Sequence, residues 1–208
     1  MSNLFKKIIG VTGITGSGTT TVAGKIHDML GATSNGLLIS ADKISHDILL
    51  KGGVAYEEVV RAFGRTIMDE QGEIDRKVLG SIVFRNAERL KILEAIVHPG
   101  VKNKILEMLV DDGKHTYAVL DVPLLVESDL YKVCTSVVLV TAPDEIRTNR
   151  IVARDGISTA LAKERIRARQ GDAYLQEFAN HVVHNTIDAL ALGTNALTEA
   201  LEKIVKEL

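Results

Sequence analysis

Residues 13–20 read GITGSGTT, the glycine spacing of a phosphate cradle. Gly13, Gly18 and Thr20 fit the phosphate-loop pattern G-x-x-x-x-G-K-[ST]. In that pattern backbone N–H groups turn inward around phosphate oxygens, and the next helix aims its N-terminus at them. Thr15, Gly16 and Ser17 fill the loop, Thr20 offers a hydroxyl to Mg2+, and Thr21 leads into the helix. Thr20 and Thr21 also suit helix capping, and the two roles are compatible. The pattern's lysine normally adds a positive charge at the β- and γ-phosphates. Here Thr19 holds its place, so the loop announces phosphate binding without its usual cation.

Two carboxylates and a group of arginines could supply the remaining chemistry. Asp42 and Asp121 each follow a short apolar run. A carboxylate in that place can simply start a turn or cap a helix. Two of them beside a phosphate loop fit a proton acceptor for a substrate hydroxyl and a ligand for Mg2+, direct or through water. Arg147, Arg150 and Arg154 lie at i, i+3 and i+7, on one helical stripe. Lys163, Arg165, Arg167 and Arg169 follow, so residues 147–169 hold seven basic and two acidic side chains in a chain of net charge −2. A solvated basic face has the same pattern. A phosphate-clamping lid fits it better, because phosphoryl transfer needs cations on the equatorial oxygens.

A nucleic-acid surface would want interleaved aromatic residues, and the chain has no Trp and only 4% aromatics. The pair His98 and Pro99 is weak as an isolated signal. No His/Cys spacing suggests zinc. Asn185, after a valine pair, suits a strand cap or a nucleobase contact.

Strands alternating with helices must position these groups. Apolar runs predict strands over 7–12, 36–42, 117–121 and 136–141, with a short fifth at 181–185, and helical spacing marks 19–31 and the C-terminal stretch. That alternation implies an α/β fold: a parallel sheet covered by helices, with ligands beyond the strand C-termini. The loop, Asp42 and Asp121 all fall at that edge. Residues 43–112 read as mostly helical, with a turn at Asp69–Gly72 and an interruption at Pro99. This stretch is too long for a simple crossover and reads as an inserted substrate subdomain. The expected division is a single domain over 1–208: core 1–42, 113–145 and 180–208, helical subdomain 43–112, and lid 146–179.

The 208 residues, 46% hydrophobic and 25% charged, suffice for such a domain. One cysteine, Cys134, excludes an intramolecular disulfide and suits a reducing cytosol. No apolar run has the length of a signal-peptide core or a membrane span. The expectation is a cytoplasmic protein, monomeric or weakly homo-oligomeric, that uses small molecules rather than nucleic acid or membrane.

These residues together resemble the dephospho-CoA kinase family, P-loop kinases that perform the last step of coenzyme A synthesis. The resemblance covers nearly the whole chain. Residues 10–18 are similar to the family's opening loop, and residues 40–46, SADKISH, resemble its D-A-D-x-I segment with Ser40 in place of the first acid. Phe63, Gly64, residues 72–76 (GEIDR), Val83 and Phe84 are similar to its helical substrate region, and His98 and Pro99 to its H-P pair. Residues 121–127, DVPLLVE, are close to its D-x-P-L-L-x-E, the most specific match. Arg150 and Arg154 stand where its lid arginines do; Arg165, Ile166, Gln170 and Asn185 resemble its later positions.

The resemblance implies ATP-dependent, Mg2+-assisted phosphorylation of the ribose 3′-hydroxyl of dephospho-CoA. It implies Asp42 and Arg150 as catalytic, with Thr20 and Asp42 at the metal. The loop, Arg154 and Asn185 fall to ATP, and His98, Pro99, Asp121, Pro123, Leu124 and Glu127 to the acceptor. The departure is Thr19. Similar loops occur in some cytidylate kinases, and Lys25, Lys43, Arg150 or Arg154 could supply the missing charge. Two other readings stay open: a nucleotide- or CoA-binding module without turnover, and a nucleoside monophosphate kinase.

Overall fold

Short apolar runs with no polar alternation form strands that are buried on both faces. In the computed structural model, which describes residues 5, 7–31, 35–83, 86–110, 114–168, 171–186 and 195–208, five strands make one parallel sheet, and its three inner strands are such runs, buried throughout. The five are β1 (Ile8–Thr12), β2 (Gly36–Ser40), β3 (Tyr117–Asp121), β4 (Ser136–Thr141) and β5 (His181–His184). Their order is β2-β3-β1-β4-β5, with every pairing parallel. β1 is therefore central, and the order reverses direction around it. A crevice opens outside the strand C-termini at such a point, where α/β sheets bind ligands.

The chain divides into two compact units, Met1–Ser40 with Leu109–Leu208, and Ala41–Met108. The first unit carries the sheet. Its helices are α1 (Thr19–Gly31), α6 (Asp144–Asp155), α7 (Thr159–Arg167), α8 (Asp172–Gln176) and α9 (Asn195–Glu207). Ile9, Val11, Val138, Val140 and Val183 face a core shared with Val22 and Ile26 of α1 and Leu201 and Ile204 of α9. Leu139, between two of those valines, faces the other way. It packs with Ile151 of α6, Ala162 and Ile166 of α7 and Leu175 of α8. The period-2 alternation of a strand thus feeds two apolar layers from one buried sheet. Ile151, Ala162, Ile166 and Leu175 all belong to the stretch 146–179 expected as a lid.

The second unit is helical. Between α1 and α6 the chain forms α2 (Ala41–Asp47), α3 (Tyr56–Phe63), α4 (Arg76–Val83) and α5 (Ala87–Met108). α5 packs against α2, α3 and α4. The turn at Asp69 is held by its carboxylate, which accepts the N–H groups of Gln71 and Glu73 at 2.9 Å each.

Two details differ from the sequence-based expectation. β2 ends at Ser40, so Asp42 lies in the first turn of α2 and not on a strand. α5 runs through Pro99 without ending. One missing N–H and a ring clash cost helix stability, but a 22-residue helix packed on three neighbours keeps the rest of its bonds. The compact helical unit spans Ala41–Met108. Phe84, Arg169 and Gln170 lie outside the described residues. Among the described residues no helix is long and apolar enough to cross a membrane.

Candidate active site

β1 delivers the glycine loop to the C-terminal edge of the sheet, and α1 leaves from it. Gly16 (φ 87°) and Gly18 (φ 91°) occupy the left-handed region, which a side chain would strain. The Ser17 N–H donates to Ile14 O at 3.0 Å and closes the turn. Gly18 O accepts the Val22 N–H at 3.1 Å, so α1 starts directly after it. The first-turn N–H groups of a helix have no intrahelical partner, and with the helix dipole they form an anion site. Gly13 and Ser17 are buried, Thr15, Gly18 and Thr19 half-buried, and Thr20 and Thr21 exposed. Ser17 Oγ is buried with no hydrogen-bond partner among the described residues.

On its carbonyl side the loop meets α6 and the end of β5. Asn185 follows β5, and its N–H donates to Thr141 O at 2.8 Å. Its side chain is 5% exposed, and Nδ2 donates to Ser17 O at 2.8 Å. Arg150 Nη1 donates to Gly16 O at 3.3 Å and Ser17 O at 3.2 Å, and Nη2 to Asn185 O at 3.3 Å.

The three arginines of one stripe meet three different surroundings. Arg147 is 4% exposed and ion-paired with Asp172 of α8, with Asp144 3.6 Å away. It is a buried structural pin, which corrects its expected place on a phosphate-facing surface. Arg154 is exposed, its Nε donating to Asp155 Oδ1 at 2.7 Å. Arg165 of α7 reaches the same carboxylate at 2.7 Å. At 1.5 Å of rise per residue, Arg154 lies roughly 10 Å along the axis from Arg147, so a shared stripe does not mean shared contacts. The Arg154 hydrogen bond, with the Arg165 charge beside it, holds the Asp155 carboxyl below its ordinary range. Asp155 and Asp172 escaped sequence reasoning. The adjacent Arg154 and Asp155 at a helix end before Gly156 was the available signal for the first.

Asp121 closes β3, 5% exposed, in register between Val11 of β1 and Ser40 of β2. The segment after it folds against β1: the Val122 N–H donates to Val11 O at 3.1 Å, and Thr12 Oγ1 donates to Pro123 O at 3.1 Å. Pro123 and Leu124 are half-buried and Glu127 is exposed. The loop, Arg150, Asn185, Asp121 and Pro123 are therefore gathered in the sheet unit.

Asp42, His98 and Pro99 belong to the helical unit, all three exposed. Asp42 follows Ser40 by two residues, so the chain keeps its Cα within about 7 Å of that strand end. No group of three or more His, Cys, Asp or Glu side chains among the described residues could hold a metal ion. The Thr20 hydroxyl is exposed in the first turn of α1.

Comparison with known proteins agrees with this geometry. The family model CoaE, dephospho-CoA kinase, matches residues 7–190. Dephospho-CoA kinase of Geobacillus kaustophilus is 40% identical over 181 residues, covering 85% of this chain and 87% of its own. That of Carboxydothermus hydrogenoformans is 38% identical over 182 residues, covering 86% and 85%. The solved dephospho-CoA kinase from Campylobacter jejuni superposes with a TM-score of 0.61 at 29% identity, covering 97% of this chain and 96% of its own. The parallel sheet with its glycine loop is a P-loop NTPase-type fold, and the chain belongs to the dephospho-CoA kinase family.

Proposed function

We propose that this chain transfers the γ-phosphoryl group of ATP to the ribose 3′-hydroxyl of dephospho-CoA, forming CoA and ADP. The observation that carries the reading is the family match across residues 7–190, over a glycine loop built to receive phosphate. The acceptor oxygen bonds to the γ-phosphorus while the bond from that phosphorus to the β–γ bridging oxygen breaks. The hydroxyl proton passes to the Asp42 carboxylate.

The loop N–H groups and the N-terminus of α1 hold the phosphates and stabilise charge developing on them. When bound with the nucleotide, Mg2+ neutralises charge on the β- and γ-oxygens, and Thr20 and Asp42 are the residues that would hold it. Arg154 is the side chain best suited to join the phosphates from α6: it is exposed, and exchanging Asp155 for a more highly charged anion favours the move. Asp121, Pro123, Leu124, Glu127, His98 and Pro99 are the proposed acceptor contacts. Phosphorus NMR of the product tests the regiochemistry. A 3′-phosphomonoester is expected, and phosphate on another hydroxyl would overturn the assignment.

A further inference from the structure

The sequence offers Arg150 as a phosphate cation and Asn185 as a base contact, yet both side chains face the loop's carbonyls. A trans peptide points its C=O and N–H in opposite directions, and the described residues contain no cis peptide. Holding Ser17 O toward Asn185 Nδ2 and Arg150 Nη1 therefore turns the Gly18 N–H the other way, into the loop. Holding Gly16 O toward Arg150 likewise fixes the peptide whose N–H closes the turn on Ile14. The fit is close: a Cβ on Gly18 would lie 2.4 Å from Asn185 Nδ2. Asn185 donates to the loop from a side chain that is almost fully buried, with Arg150 laid across its backbone oxygen.

A glycine loop has more conformational freedom to lose than any other segment, and fixing it before binding conserves affinity. The pattern's lysine position holds Thr19, a short side chain.

We propose that Arg150 and Asn185 are positioning residues that hold the Gly16 and Ser17 carbonyls outward, so that the loop N–H groups are preset for a polyphosphate. Loop order here comes from α6 and the end of β5. The inference rests on the phosphate-binding reading of the loop, and it differs from a direct contact of either residue with phosphate or base.

The test uses inorganic tripolyphosphate, which has charge but no base, with affinity measured by calorimetry. Asn185→Ala removes a donor without changing charge. It should weaken tripolyphosphate and ATP by the same factor, about tenfold for one buried hydrogen bond. Amide exchange should quicken in the peptide covering residues 13–20 and stay unchanged elsewhere. Arg150→Lys keeps the charge but loses the fork that spans three carbonyls, so its loss should approach that of Arg150→Ala. This conservative change at a half-buried site decides the matter if Asn185→Ala does not fold.

Three results would overturn the inference. Unchanged tripolyphosphate binding with weakened ATP in Asn185→Ala would make Asn185 a base contact. Retained binding in Arg150→Lys against a large loss in Arg150→Ala would make Arg150 a direct phosphate cation. No tripolyphosphate binding by the wild type would remove the loop reading itself, and the inference with it.

Discussion

Asp42→Asn should lower kcat by about 10²–10⁴-fold, the usual cost of losing a general base, while ATP affinity changes by less than about threefold. The substitution keeps the shape but removes the negative charge and, with it, the ability to take a proton. Steady-state kinetics with both substrates varied gives the two quantities separately. A variant within about threefold of wild-type kcat would leave Asp42 as the opening residue of α2 and nothing more. Asp155 makes a pH prediction. Its carboxyl, held by Arg154 first and Arg165 next, titrates below its ordinary value near ~3.9. A folded pKa below the unfolded one contributes stability above the unfolded value, and that contribution fades as pH falls through the folded pKa. Between pH 7 and pH 3 the wild type should therefore lose more in melting temperature than Asp155→Asn. Equal losses would mean that the two arginines do not hold the carboxylate in solution.

The elements show where sequence reasoning works and where it stops. β3 and β4 were legible to the residue because each is an uninterrupted apolar run bounded by polar groups, and burial on both faces demands that pattern. The glycine loop was legible for a similar reason: its conformational demands are local, and glycine spacing records them. The contacts of Arg150 and Asn185 with the loop were not, since they join positions 133 to 168 residues apart, and no local pattern encodes such a distance. Pro99 was misread because propensity is a weak prior that packing overrides, and α5 packs on three helices. Proline inside a helix costs ~3 kcal/mol relative to alanine, offset by about 0.4–1 kcal/mol through the unfolded chain. Pro99→Ala should then raise unfolding stability by about 2 kcal/mol in a urea titration. If Pro99 also meets the acceptor, the same variant should show a higher KM for dephospho-CoA. A fall in stability would show that the ring itself supplies packing that the exposed position does not suggest.

For the whole molecule, the sheet unit holds the phosphate loop, and the helical unit carries Asp42, His98 and Pro99. The net charge of −2 gives no general attraction for polyanions, so recognition must come from placed groups at the loop and not from a broad field. Thr19 makes activity the point on which everything depends, because a loop without its lysine could bind nucleotide and turn nothing over. The most direct test gives the purified chain labelled ATP and Mg2+ and compares kcat/KM for dephospho-CoA with those for CMP, AMP and UMP. The account predicts labelled CoA, with the three monophosphates poor acceptors. A monophosphate as the preferred acceptor would contradict it, and so would ATP binding without transfer to any acceptor until Thr19→Lys switches transfer on.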